Sequence, residues 1–368
     1  MAALITTSHG AARKLWDGVL HWQTFNPLFW RQHNLIGRDI GGEGDPLGDK
    51  PYFPIVEKQE FGKGKKGDRV TMHLINQLTG AGVGEGTARK DSGSNLVIRT
   101  LNVNVSTWFY ESTIADYTAS NQRVNFDLEA QAVKALGIQG ARKIDDDLTY
   151  CYYYGYSKNN VDNAISTAVK HPNWLYANFA APGWTAEKEG SLGTQHKFSL
   201  QVINAAKVYL SEKLKAVPII WKGEACYLGV IHEFQANDLF SDPIVQTLLA
   251  QGQSRGDDNP LWSGAFIKYN GVFLHVNNNI DSANGTWSAA DNVVDGVNIR
   301  RAIFTGGHAI GFGVGAEARR TILNEDDHQR NVSRGAELLY GATRLDWNTT
   351  DNQSSCIMST SAAAPYGS

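Results

Sequence analysis

The segment 62–68, Gly-Lys-Gly-Lys-Lys-Gly-Asp, sets Gly62 and Gly67 at the separation used by phosphate-binding loops. Such a loop then needs a Lys for the phosphates and a Ser or Thr for the magnesium ion, but Asp68 and Arg69 follow. The cluster therefore reads as a solvated basic turn. Gly311-Phe312-Gly313-Val314-Gly315-Ala316 lacks the third glycine of a dinucleotide fingerprint and its later acidic residue, so it reads as a strand bend or a close backbone approach. His232-Glu233 opens like a zinc-protease helix, yet Ala236 stands where the second histidine belongs. Asp291, Asp295 and Gly296 imitate a calcium loop, but Val293 and Ala302 fill positions that must supply oxygen. Asp145, Asp146 and Asp147 are consecutive on an expected helix, where successive side chains point about 100° apart and cannot converge on one ion. They read as helix-surface charge partnered by Arg142 or Lys143. Glu325-Asp326-Asp327-His328 has the donor types of a metal site, and with the carboxylates at 281–295 it supports a metal-dependent hydrolase as a minor reading. The ten histidines show no paired spacing and no nucleophile elbow is present. No catalytic, cofactor-binding or metal-binding residue is assigned, and the chain is not expected to be an enzyme.

The 368 residues carry 34 Lys and Arg against 37 Asp and Glu, a net charge of 34 − 37 = −3. A dedicated nucleic-acid reader would show a basic excess instead. Hydrophobic residues at 42% with charged residues at only 19% exclude a disordered chain. The ten Trp, fourteen Tyr and fourteen Phe fit either a large core or a surface that meets other protein. The longest apolar runs, such as Val217-Pro218-Ile219-Ile220-Trp221, fall far short of a membrane span, and the N-terminus does not read as a signal peptide. Cys151, Cys226 and Cys356 have no metal or redox spacing, which fits a reducing compartment.

The elements that would carry these residues follow from periodicity. Residues 1–55 read as an arm: one amphipathic stretch over 11–30, then Gly-, Asp- and Pro-rich chain. Its Phe25, Phe29 and Trp30 either dock on their own body or grip a neighbouring subunit. From Arg69 to Leu78, Val70, Met72 and Leu74 alternate with Thr71 and His73, and from Thr100 to Phe109, Leu101, Val103, Val105 and Phe109 alternate with Asn102, Asn104 and Ser106, giving two strands. The Gly-rich polar connection 79–95 is too long for a tight turn, so the pair reads as a projecting hairpin that needs a partner surface. A helix is expected over 126–154, with Val133, Leu136, Gly140, Ile144, Leu148 and Cys151 in one stripe and Gly155 as its stop. A second helix is expected over 195–215, strands over 227–234, 264–269, 272–276 and 300–304, a short helix over 242–251 and a last strand-like run over 336–347. The Ser- and Ala-rich end from Ser354 is expected to fray. The class is α+β with strands in the majority.

This order of parts resembles the major capsid protein of tailed bacteriophages, the Hong Kong 97-type capsid fold, and within it the phage N-four-like family. The residues carrying the resemblance are Phe61-Gly62-Lys63-Gly64 with Gly67-Asp68, Gln77-Leu78-Thr79-Gly80-Ala81-Gly82-Val83, Gln122-Arg123-Val124, Phe126-Asp127-Leu128, and Ala141-Arg142 with Ile144-Asp145. They span 61–155, and the rest matches in layout. The resemblance implies an N-terminal arm at 1–55, an extended E-loop at 56–112 and a peripheral domain at 113–225 with spine helix 126–154 and an insertion at 156–193. It further implies an axial domain at 226–309, a return to the peripheral domain at 310–348 and a C-terminal tail at 349–368. A structural major capsid protein would self-assemble into hexamers and pentamers of an icosahedral shell enclosing double-stranded DNA. Its partners would be itself, portal and scaffold proteins, a decoration protein and DNA contacted non-specifically, with no membrane and no cofactor. It would be assembled in the host bacterial cytoplasm and end in the virion. Lys63, Lys65, Lys66, Glu85, Arg89, Lys90 and Asp91 at the hairpin base and tip, with Phe25, Phe29 and Trp30 of the arm, are the expected inter-subunit contacts. An encapsulin-like compartment shell is the alternative of the same fold.

Overall fold

One hydrophobic core joins a 27-residue helix to two β-sheets, and a third, two-stranded sheet rests against that body. The computed structural model describes residues 29–33, 35–38, 53–58, 69–75, 98–114, 128–157, 171–178, 189–221, 224–252, 267–280, 293–294, 296–326, 330–346 and 353–362. In chain order these form α1 (Phe29–Gln32), β1 (Ile36–Arg38), β2 (Ile55–Lys58), β3 (Arg69–Ile75), β4 (Ile98–Asn104), β5 (Ser106–Ile114), α2 (Leu128–Tyr154), β6 (Trp174–Tyr176), α3 (Leu200–Val208), β7 (Ile219–Trp221) and β8 (Glu224–Ile231). They continue with α4 (Glu233–Ser241), α5 (Pro243–Gly252), β9 (Ile267–Tyr269), β10 (Val272–Val276), β11 (Val293–Val294), β12 (Val297–Thr305), β13 (Ile310–Asp326), β14 (Asn331–Arg344) and β15 (Ser355–Ser361).

The first sheet runs β1-β2-β13-β14-β5. Helix α2 lies along β14 and β5, burying Val133, Leu136, Ile144, Leu148 and Cys151 at helical spacing, as the apolar stripe requires. Two polar links fix its position on the sheet. Arg334 of β14 meets Glu129 at 2.6 Å, and the Tyr340 hydroxyl donates to Asp147 at 2.6 Å. Gly155 closes the helix at φ +88°, its N–H donating to the Cys151 carbonyl.

The second sheet runs β6-β15-β12-β8-β10-β9, with β7 and β11 paired at its side. Here the expected fraying end is corrected. All seven residues of β15 are buried, between β12 and β6. Its polar side chains find internal partners, Trp174 Nε1 donating to Ser359 at 2.8 Å and Gln235 Nε2 to Thr360 at 2.7 Å, so polarity does not expel the strand. The helix expected over 195–215 begins only at Leu200, because Lys197 bridges Ser361 and the His196 ring accepts from Gly193 N–H, holding the preceding residues in a turn. The strand expected to reach residue 234 ends at Ile231, and α4 follows at once.

Strands β3 and β4 pair in the expected alternation, Val70, Met72 and Val103 inward and Arg69, His73, Thr100 and Asn102 outward. The second expected strand, 100–109, however divides at Val105: β4 ends at Asn104, and β5 leaves β3 to pair with β14, with Phe109 exposed. Their inward residues make a separate small cluster with Leu345.

Candidate functional site

His232, Asp145 and Asp147, which the sequence offered for chemistry, are structural ties. His232 is the N-cap of α4: its Nδ1 accepts the Phe234 N–H at 3.1 Å, and Gln235 Oε1 accepts the His232 N–H at 3.0 Å. Burial and the neighbouring Arg300 push its pKa down to about 4, keeping the accepting nitrogen free of a proton. His171 and Ser355 lie 2.9 Å apart, but Nδ1 of His171 accepts from Asn173 N–H. The proton therefore sits on Nε2, which donates to the serine and cannot take its proton, the reverse of nucleophile activation. Among the described residues no three His, Cys, Asp or Glu side chains gather as a metal site. The side chains of Glu325 and Asp326, residues 281–292 with Asp291, and Asp295, Asp327 and His328 lie outside the described residues.

The triple aspartate is corrected in part. Asp147 is buried and bound by Lys143, one of the expected partners, at 2.6 Å, besides Tyr340. Asp145 is also buried rather than surface charge, and its Oδ2 accepts the backbone N–H of Phe29 at 3.0 Å across 116 residues of sequence. Burial raises its pKa to about 7, against the opposing pull of the Phe29 and Trp30 N–H groups. The signal for this was present: Ala141, Asp145, Leu148 and Tyr152 follow one another at helical spacing along the buried face.

The arm and hairpin carry the expected contact residues. Trp30 is fully buried and stacks on Tyr152 of its own chain, ring centroids 5.3 Å apart, so this ring docks on its own body. Phe29 is half-buried against His33 and His275. Arg31 pairs with Glu57, and β1 aligns in parallel with β2. Phe25, Lys63, Lys65, Lys66, Glu85, Arg89, Lys90 and Asp91 lie outside the described residues.

The hairpin base is seated by three glycines and one lysine. A Cβ added at Gly311 would lie 2.6 Å from Met72 Sδ, and one at Gly313 would lie 3.2 Å from Val70. At Gly341 the backbone carbonyl of Asn104 fills the space a side chain would need. The glycine-rich run at 311–316 is thus the close backbone approach its sequence indicated. Lys58 Nζ donates to the Thr71 carbonyl at 2.6 Å, tying β2 to β3. What this arrangement offers is mechanical: the described parts of the arm and of the hairpin are tied to the body that α2 and the sheets form.

The family described as phage capsid protein matches residues 20–361. No curated protein sequence matches the chain. Among solved structures, the capsid of Ralstonia phage GP4 is similar with TM-score 0.66 and 18% identity, covering 89% of this chain and 98% of its own. The cyanophage Pam1 capsid follows with TM-score 0.64, 15% identity and coverage of 82% and 87%. The head structure of Helicobacter pylori bacteriophage KHP40 gives 0.60, 15%, 88% and 94%.

Proposed function

The chain belongs to the phage capsid protein family, and from that membership we propose how its parts serve a shell. It is a structural major capsid protein with the Hong Kong 97-type fold. Residues 1–55 act as the N-terminal arm and 56–112 as the E-loop, with α2 as the spine helix of a peripheral domain and 226–309 as the axial domain. Copies of the chain associate as hexamers and pentamers, with portal and scaffold proteins as further partners, and assembly in the host cytoplasm yields the virion shell. Packaged DNA is contacted non-specifically. A net charge of −3 suits that role, because the phosphates arrive with their own counterions and need no basic lining. The motifs at 61–155 support the N-four-like branch. Membership of a phage family argues against an encapsulin-like compartment, and nothing among the described residues favours a hydrolase.

The observation that carries this reading is the family match across 20–361. The arm and hairpin supply its physical logic. A two-stranded ribbon is marginal in water, so its outer part needs a neighbour's surface. The charges at 63–66 and 85–91 would set register there more than affinity. Negative-stain microscopy of the purified chain should show closed particles, whereas dispersed monomers at high concentration would overturn the assignment. Deleting residues 80–95 should abolish closed particles while the unfolding transition of the body stays unchanged. Intact particles from that deletion would refute the role given to the loop.

A further inference from the structure

The joint between arm and body gathers three titratable groups around one short helix. Asp145 of α2 receives the first N–H of α1, while its other oxygen is buried with no hydrogen-bond partner among the described residues. On the other side of Phe29, the rings of His33 and His275 lie 4.5 Å apart. His33 is exposed and His275 only 2% exposed at the end of β10, with Phe29 against both. Asp146 acts on Asp145, and His33 acts on His275. Arg31 on the same helix is tied to Glu57.

We infer that this joint is a pH-compensated latch: Asp145 and the His33–His275 pair hold the arm through proton equilibria of opposite sign, so the arm stays seated as the medium acidifies. Release of the arm would return each group to water. Asp145 has a seated pKa of about 7 against an ordinary 3.8, so the seated form keeps a proton that the released form gives up. Seating therefore tightens as pH falls from 7 toward 4, by about 90-fold between pH 8 and 5. His275 has a seated pKa of about 4 against 6.5, through burial and the facing His33, so the released form takes up a proton that the seated form refuses. Seating loosens by about 30-fold over the same interval. His33, lowered by the part of its ring that is covered, adds to the loosening in the same direction. The two large effects nearly cancel, because release moves one proton's worth of charge off the carboxyl and onto the imidazole.

Hydrogen exchange of the full-length chain, corrected for intrinsic rates, reads this equilibrium at two amides of the joint. Leu35 N–H donates to the Trp30 carbonyl at 2.7 Å and Ile55 N–H to the Leu35 carbonyl at 3.2 Å. Wild-type protection should change less than about tenfold between pH 8 and 5. Asp145→Asn should lose about 30-fold protection over that interval, and His275→Phe should gain about 90-fold. Variants that stay as flat as wild type, or that move in the same direction, overturn the latch. A measurement without substitutions guards against misfolding: the His275 ring signal should stay in its neutral form down to pH 5, and a midpoint near 6.5 overturns the proposal as well.

Discussion

The hairpin and the second sheet are both β-structure, but they are held by different means. Val70, Met72 and Val103 of the hairpin form a satellite cluster with Leu345, apart from the main core, and one lysine bond and three glycine contacts seat them. In the second sheet, Arg301 meets Glu189 through two bonds of 2.7 and 2.9 Å, Ser359 donates to Glu189 at 2.9 Å, and Tyr153 donates to the Arg301 carbonyl at 2.9 Å. That network joins β12, β15, α2 and the turn Glu189–Ser191 across more than a hundred residues of sequence. A part with few buried contacts opens at low free energy, while a part cross-linked through the core opens only with the whole.

The sharpest way to break the contrast is to cut the network. Arg301→Met leaves the Glu189 carboxylate buried without its cation, and loss of one partner of such a pair costs about 3–5 kcal/mol. Urea unfolding of the unassembled chain should shift its midpoint accordingly, with the hairpin and body lost together. Replacing both, Arg301→Met with Glu189→Leu, should recover much of the loss, because no charge is then stranded. A single variant with an unchanged midpoint would show that the pair is not the lock described.

The hairpin tests the other side. Gly341→Ala forces a methyl against the Asn104 carbonyl, and overpacking of this kind costs about 1–3 kcal/mol. Hydrogen exchange should report it as lost protection in β3 and β4, with little change in the second sheet. Equal loss in both regions would erase the distinction between them.

The same distinction explains what the sequence disclosed. The hairpin was legible because its burial is local: a period of two shows which residues of each strand turn inward. The stripe and glycine stop of α2 were legible for the same reason. Strand β15 was not, since Ser355, Ser359 and Thr360 look solvent-seeking until Glu189, Trp174, Gln235 and His171 supply their bonds from far along the chain. The burial of Asp145 was legible in the stripe of α2, but its partner was not, being a backbone N–H of the arm, to which no side-chain pattern points. Helix α4 is hard to read for a local reason: His232 has the look of a metal ligand, while its role as an N-cap needs only one accepting nitrogen.

That cap gives the smallest and most discriminating test. His232→Ala removes the acceptor of the Phe234 N–H, a loss of about 1 kcal/mol for a helix N-cap, whereas His232→Asn keeps an acceptor and should cost less. The size approaches that expected for Gly341→Ala, but the location differs. Gln235, the other half of the capping box, also donates to the Arg300 carbonyl at 3.1 Å and to Thr360 at 2.7 Å, so a loosened α4 start is felt in β12 and β15. The loss should therefore shift the global urea midpoint and leave β3–β4 exchange relative to the body unchanged, the reverse of the glycine variant. Because burial and Arg300 hold the ring neutral down to about pH 4, the difference between His232 and His232→Ala should persist at pH 5. A cap that failed near pH 6.5 would mean that the imidazole is open to water and that α4 belongs with the loosely held parts.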